Sequence, residues 1–395
     1  MPPTAVPPLA AAVTGATAGA PGRPDVAAAR HAPLAVVTRG DAIESVHAGS
    51  VAVVDRDGRV LFSAGAPQVL TMTRSALKPF QAMPFVAGGG IERFGYTPPQ
   101  VALLCASHSG EDRHVAAVTD MLVRAGCTAR DLQCGTHPPL AYEARGDVPP
   151  PPPYSPLAHN CSGKHSGLLA YCVHCGLPKD SYLAFEHPLQ RAIRQAVAHF
   201  TATPEAELVA GTDGCSAPNY GVPLDRLARA YARLAAHDAD AVYGRAPVVL
   251  AGAMTAHPEM VSGEGRSDLA LARAGRGDWV AKIGAEGVQA IGVRSLGLGI
   301  AIKVADGAAR GLHPATVAVL DQLGLLDAGQ RAELAAWREP VVRNHRGLAT
   351  GVVRAAVVLD RGSAAPGDGA STAASAASAD PGRHATPPAN NAGPA

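Results

Sequence analysis

Three features of the chain predict an α+β fold. Short apolar runs of strand length lie near both ends, a long middle stretch has helical periodicity, and turn residues mark the junctions. Strands, then helices, then strands imply one mainly antiparallel sheet built from the N- and C-terminal segments, with the helices as an insertion. Leu34–Val37 and the alternating Val46, Val51, Val53 and Val54 form the first two strands, and Asp55-Arg-Asp-Gly58 is a hairpin turn into Val60–Ser63. After Ser75 the period becomes helical. Thr97-Pro-Pro caps one helix, and Glu111–Ala125 forms another that stops at Gly126. A helical pattern from Ser166 ends at Gly176, and longer ones cover Leu189–Phe200, Leu224–Ala236 and Ala241–Ala256. Pro149–Pro153 is a polyproline-like spacer on the surface. Strand character returns at Trp279–Ile283, Val288–Val293, Leu298–Val304 and around Gly351–Val358.

Composition bounds the function. Lys and Arg total 34 against 33 Asp and Glu, a net charge of +1, so there is no basic field for a nucleic acid. No apolar run reaches the roughly 18–20 residues needed to span a bilayer. Residues 1–31 are rich in Ala, Pro and Gly. Met1 is followed by two prolines and the first arginine is Arg23, which fits a disordered tail better than an export signal. Residues 362–395, rich in Ala, Ser and Pro, are a second such tail, leaving 32–361 as the folded domain. Seven cysteines without a secretory signal point to a reducing cytoplasm. Cys172 and Cys175 form a C-x-x-C at a helix end. It is open to a redox or half-zinc reading, but buried thiols are favoured because no second C-x-x-C exists.

Lysine is the informative residue. The chain has five lysines against twenty-nine arginines. A lysine in so arginine-rich a protein is best explained where a base is needed, because an ammonium can lose its proton and a guanidinium effectively cannot. Lys179 fits a surface turn and Lys303 a strand. Lys78 completes the S-x-x-K of Ser75-Ala-Leu-Lys78, where i and i+3 on a first helical turn share a face. A helix start with a solvated lysine is the plain alternative. Cys105-Ala-Ser-His-Ser-Gly110 adds a later serine loop, and Lys282-Ile-Gly284 a K-x-G on a strand. Together these make the Ser-Lys pattern of serine β-lactamases and penicillin-binding proteins.

Five segments go beyond that pattern: Thr73–Gln81, Cys105–Glu111, His159-Asn-Cys-Ser-Gly-Lys-His-Ser-Gly167, Gly211-Thr-Asp-Gly-Cys-Ser216 and Lys282–Gly287. In that order they resemble the asparaginase II family, the Rhizobium etli-type or class 3 L-asparaginases, over about residues 32–360. The resemblance implies a β-lactamase-like fold, a homodimer, and hydrolysis of L-asparagine to L-aspartate and ammonia. It also implies Ser75 as nucleophile with Lys78 as its base, a second Ser107–Lys282 pair, and zinc beside them on Cys161, Lys164 and Cys215. Without zinc, Cys161 and Cys215 are small residues in tight glycine-rich turns. For the substrate, Arg74 and Arg39 are candidate partners of the α-carboxylate, and Asp213 and Glu286 of the α-ammonium. His159 and His165 flank the Cys161 motif and could orient Lys164 or a water. A glutaminase, a penicillin-recognising enzyme and a non-catalytic amino-acid or metal binder are the competing readings.

Overall fold

The protein is described here by a computed structural model covering residues 30–362. The expected tails, 1–31 and 362–395, lie outside the described residues except for Arg30, His31 and Gly362. Twelve strands form two sheets among these residues. They are β1 (Ala32–Arg39), β2 (Ala42–Val54), β3 (Val60–Ala64), β4 (Leu70–Met72), β5 (Val209–Thr212), β6 (Pro218–Pro223), β7 (Trp279–Gly284), β8 (Val288–Val293), β9 (Leu298–Val304), β10 (Val341–Arg343), β11 (Ala349–Ala355) and β12 (Asp360–Arg361). The large sheet runs β10-β11-β1-β2-β9-β8-β7, with β3 and β12 added beside the second half of β2, and every pairing is antiparallel. Terminal segments thus share one sheet, and the helices between β4 and β7 form the insertion, carrying a small β4-β6-β5 sheet of their own.

Alternation along a strand sends successive side chains to opposite faces, and here both faces are covered. Val51 and Val53, with Ile291, Ile300 and Ile302, pack against Leu312, Val319 and Leu320 of the helix Ala309–Gln322. Ala52, Val54, Val288 and Ala301 face the insertion, where Phe80, Leu103, Leu169 and Tyr231 fill the other core. All six residues of β8 are buried for this reason. No helix among the described residues is long and apolar enough to cross a membrane.

Local chemistry accounts for where the elements start and stop. Asp55 accepts from the Asp57 and Arg59 N–H groups at 3.1 and 2.9 Å, which closes the β2–β3 turn. Thr97 and Gln100 form a capping box at the helix Pro98–Leu104, and left-handed Gly176 ends the helix Ser162–Cys175. The segment expected to be helical from Ala241 becomes so only at Ala246. Asp240 bonds the Val242 and Tyr243 N–H groups and pairs with Gly244, which holds those residues in a turn. Strand β11, expected around Gly351–Val358, runs from Ala349 to Ala355, and the Ala356 N–H adds one further bond to the Leu34 carbonyl of its partner strand. The small sheet and the helix Ala309–Gln322 escape a reading by periodicity. Pro218, Gly221 and Pro223 disguise β6, and Pro314 interrupts the helical pattern. Cys172 is buried as expected, but Cys175 is exposed at the helix end, and the seven cysteines are all free.

The helix Leu224–Ala235 approaches the sheet over a glycine pair. Gly292 and Gly299 are cross-strand partners, and a Cβ on them would lie 2.2 Å from the Tyr231 carbonyl oxygen and 1.9 Å from that of Ala228. Both contacts are with backbone and cannot be relieved by a rotamer change. Gly299→Ala is therefore expected to destabilise the fold by about 1–3 kcal/mol or more, the range for overpacking, as read from urea or thermal unfolding.

Candidate active site

Strand β4 leads into a tight turn, Arg74–Leu77, which continues as the helix Lys78–Ala87. Arg74 sits at φ 48°, a left-handed conformation that costs a non-glycine residue of order 1–3 kcal/mol. Asn219, at 1% exposure, holds it there. Its Oδ1 accepts from the Arg74 N–H and its Nδ2 donates to the Arg74 carbonyl, each at 3.0 Å. Thr73 Oγ1 donates to the Tyr220 carbonyl at 2.8 Å, and Tyr231 Oη donates to that of Ala76 at 2.7 Å. Ser75 is thereby presented to a cavity of about 670 Å³, whose walls include Arg74, Cys161, Asp213 and Cys215.

Lys78 is buried behind this turn at 1% exposure. Its Nζ donates to the Ala106 carbonyl at 2.5 Å and to Ser107 Oγ at 2.9 Å. No hydrogen bond joins it to Ser75 among the described residues. The expected i, i+3 contact gives way because Lys78 Nζ finds two acceptors in the buried Cys105–Gly110 loop. That loop is anchored by the Ser107 N–H on the Val261 carbonyl at 2.9 Å and by Arg266 donating to the Ser107 carbonyl.

Lys282, the expected partner of Ser107, is occupied elsewhere. Asp268, on the helix Ser267–Ala274 beside β7, accepts from Lys282 Nζ at 3.0 Å and from the Ile283 N–H at 2.8 Å. Lys282 also bonds the Ile283 carbonyl at 2.9 Å. Both charged groups are buried. Burial lowers the Lys282 ammonium to about 8 and Lys78 repels it further, while Asp268 works in the opposite sense. A folded value below the 10.5 of a free lysine disfavours the ammonium in the fold, so this residue makes stability rise with pH between about 8 and 10.5.

A second buried cluster forms the adjoining wall. Lys164, at 2% exposure, donates to Cys215 Sγ at 3.0 Å. A hydrogen bond from Cys161 holds the Cys215 sulfur far below the usual thiol range, with Lys164 adding to the effect against the opposing cost of burial. Cys161, as the donor and by its burial, is pushed up and stays protonated. Burial alone would lower Lys164, but the Cys215 sulfur outweighs it and keeps the ammonium charged. His165 Nδ1 meets Tyr182 Oη at 2.7 Å, and its Nε2 is buried without a hydrogen bond beside that sulfur. Burial lowers His165 to about 4 and His159 to about 3, so both are neutral at pH 7. No set of three His, Cys, Asp or Glu side chains among the described residues is arranged to hold a metal. The two sulfurs and the Lys164 amine do fit zinc in kind, once Cys161 and Lys164 lose their protons.

The expected substrate ligands divide. Arg74 Nε and Asp213 Oδ1 form an ion pair at 2.8 Å on the cavity wall, and Arg74 Nη1 lies 3.9 Å from Glu286. Glu286 is itself largely exposed at the β7–β8 turn, and its neighbour Ala285 lines the cavity. Arg39 takes no part in this wall. The β1–β2 register places it opposite Ala42 at the hairpin tip, 56% exposed and paired with Glu44 at 2.7 Å. The Pro149–Pro153 spacer is exposed beyond its first residue, and half-buried Pro149 also lines the cavity, as do His137 and Pro139. Asn219, Asp268 and Tyr231 went unrecognised in the sequence. Asp268 follows Gly263-Glu-Gly-Arg-Ser267 with no motif of its own, and Asn219 acts through a backbone strain that no spacing reveals.

The profile of the family described as L-asparaginase II matches residues 35–355, which takes in every segment of this site. The chain belongs to that family. No curated protein matches it. Membership makes the protein an amidohydrolase of the asparaginase type, and the five segments that carry the resemblance supply the three buried lysines and one part of the cavity wall, the rest coming from the stretch between His137 and Pro149.

Breaking a buried pair by removing one partner leaves a charge without compensation, at a cost of roughly 3–5 kcal/mol. Cys215→Ala strands the Lys164 ammonium and should lower stability by that order in urea unfolding. The double variant Cys215→Ala/Lys164→Met should recover a large part of the loss, and a double-mutant cycle reads the coupling directly.

Proposed function

We propose that this protein hydrolyses L-asparagine to L-aspartate and ammonia on a serine β-lactamase-like fold, with Ser75 as nucleophile. The observation that carries the reading is a cavity-lining serine on a strained turn with a buried Lys78–Ser107 hydrogen bond directly behind it. A neutral Lys78 amine has two N–H groups and one lone pair. Its two contacts with Ala106 and Ser107 use the N–H groups and leave the lone pair for the Ser75 proton. Ser75 Oγ then adds to the side-chain amide carbon while backbone N–H groups at the turn hold the oxyanion. The proton taken by Lys78 passes through Ser107 Oγ to the departing amine, ammonia leaves, and water hydrolyses the acyl-enzyme by the reverse route. Lys282, held charged near pH 7 by Asp268, stands beside this relay as a cation and transfers no proton itself, since the Ser75 proton is the one the leaving amine takes.

The Arg74–Asp213 pair suits a zwitterionic substrate. Asp213 Oδ1 is engaged by Arg74 and by the Gly214 N–H at 2.9 Å, which leaves Oδ2 for the α-ammonium. The outer guanidinium nitrogens of Arg74 remain for the α-carboxylate, with Glu286 at the edge of the same cation. Zinc, when bound, would be held by the Cys161 and Cys215 thiolates and the neutral Lys164 amine, which together balance its charge, and would supply a Lewis-acid centre beside the cavity. His165 and His159, both neutral, would border that site. A homodimer in a reducing cytoplasm completes the reading.

The deciding measurement is ammonia release from L-asparagine and L-glutamine by purified protein. Wild type should release it from asparagine, and Ser75→Ala should reduce the rate by at least a thousandfold without loss of the folded state by circular dichroism. Release from glutamine alone would move the reading to a glutaminase. Equal rates in the variant would remove Ser75 as nucleophile.

The pH profile tests whether the reaction needs the Lys282 charge. Activity should fall on the alkaline side near pH 8 as Lys282 loses its proton. Asp268 raises the Lys282 value, so Asp268→Asn should shift that limb to lower pH as well as lowering kcat. An alkaline limb that stays in place in this variant would remove the Lys282 charge from the requirements of the reaction.

A further inference from the structure

We propose, building on the hydrolysis assigned to Ser75 above, that the cavity also takes secondary ω-amides of aspartate whose departing amine carries a neutral apolar substituent. The cavity holds about 670 Å³, within the range of roughly 300–1,000 Å³ that encloses drug-sized ligands. Free asparagine fills only part of such a space. Arg74 and Asp213, the partners of its two α-groups, form one wall. A second wall is made by Pro138, Pro139, Leu140, Tyr142 and Pro149, all half-buried apart from exposed Pro138. Asparagine has a single methylene to set against these side chains.

The position of the apolar wall decides which end of the substrate it meets. The Ala141 N–H donates to the Ser109 carbonyl at 2.9 Å. Gly110, at φ 71°, runs so close to the same stretch that a Cβ on it would lie 3.0 Å from Pro139 Cβ. The His108 N–H donates to the Asn160 carbonyl at 3.2 Å, and the Asn160 N–H to His137 Nε2 at 3.1 Å. The apolar wall is thus seated on the Cys105–Gly110 loop, whose Ser107 passes the proton to the departing amine. The Arg74–Asp213 wall comes instead from the turn after β4 and the loop between β5 and β6. An amide bound between the two walls has its amino-acid end at Arg74 and its amine toward Pro139 and Leu140.

Charge on this side selects against an anionic amine. Leu140 and Tyr142 stand on the helix Leu140–Arg145, where the Arg145 guanidinium lies over the Tyr142 ring, 5.1 Å from its centroid, and pairs with Asp147 at 2.7 Å. Asp213 balances Arg74, and Arg145 balances Asp147. Glu143, exposed on the same lining, makes no ion pair among the described residues. A neutral ring or alkyl chain on the amine covers the apolar side chains, whereas a carboxylate there meets an unpaired negative charge. No further reactant is needed. Ser75 Oγ adds to the amide carbon, and its proton passes by Lys78 and Ser107 to the amide nitrogen. The C–N bond then breaks to release the amine, and water frees L-aspartate from Ser75.

The test is release of the amine by the full-length protein from L-asparagine, ω-N-methyl-L-asparagine, ω-N-benzyl-L-asparagine and β-L-aspartylglycine, read as kcat/KM. The benzyl amide should exceed the methyl amide at least tenfold, about the lower limit for taking a phenyl ring out of water. β-Aspartylglycine, with a carboxylate in that place, should fall at least tenfold below the benzyl amide. Leu140→Asn should lower the ratio of the benzyl to the asparagine value at least fivefold, a ratio in which any general loss of activity cancels. The wild-type series of methyl and benzyl amides decides the matter if that variant fails to fold. Ammonia from asparagine without benzylamine, a benzyl value below the methyl one, or an unchanged ratio in folded Leu140→Asn would overturn the proposal and leave asparagine hydrolysis standing. Release of no amine from any of the four by folded wild type would remove the hydrolysis itself and this proposal with it.

Discussion

Three lysines buried to within 2% of full enclosure, Lys78, Lys164 and Lys282, constrain everything around them. An amine or ammonium cannot be enclosed without acceptors, so each fixes the geometry of its surroundings. Lys78 draws the Cys105–Gly110 loop against the Arg74–Leu77 turn through Ala106 and Ser107. Lys282 ties edge strand β7 to the helix Ser267–Ala274 through Asp268. Lys164 requires an anion, and the Cys215 sulfur, kept ionised by Cys161, provides it. Strands from both ends of the chain and helices from its middle are joined at these three points, and the cavity opens where they meet.

The three lysines differ in what their partners leave them able to do. Lys164 faces a thiolate and is held charged, so it serves as a fixed cation. Lys282 has a carboxylate partner but pays for deep burial, and its proton becomes mobile just above neutral pH. Lys78 faces only neutral oxygens, a carbonyl and a hydroxyl. Such a setting suits a residue that must exist as an amine for part of a cycle. One residue type therefore fills three electrostatic roles within a single site, and the difference lies entirely in the second group of each pair.

Strain is placed at one point. Arg74 adopts a left-handed backbone and Asn219 returns two hydrogen bonds to it, so the turn is rigid where Ser75 leaves it. The same residue turns its guanidinium to Asp213 on the cavity wall. A single strained position thus aims the serine and contributes an ion pair to the polar wall of the cavity. Behind it, Tyr231 and the glycine pair of β8 and β9 hold a helix close against the sheet.

Much of this was legible in the chain. The order of strands, helices and strands, the β2–β3 turn at Asp55–Gly58 and the caps at Thr97 and Gly176 follow from short-range chemistry, which a sequence states directly. The scarcity of lysine singled out Lys78, Lys164 and Lys282, because composition records which residues could not be exchanged for arginine. What the chain could not state was the pairing. Ser107 bonds Lys78 and not Lys282, Asp268 takes the second lysine, and Arg39 turns away to Glu44. Each of these depends on contacts between residues far apart in sequence, or on the register of a hairpin, and no local spacing encodes either. Residue type and order determined which chemistry is present, while burial and long-range packing alone decided which donor meets which acceptor.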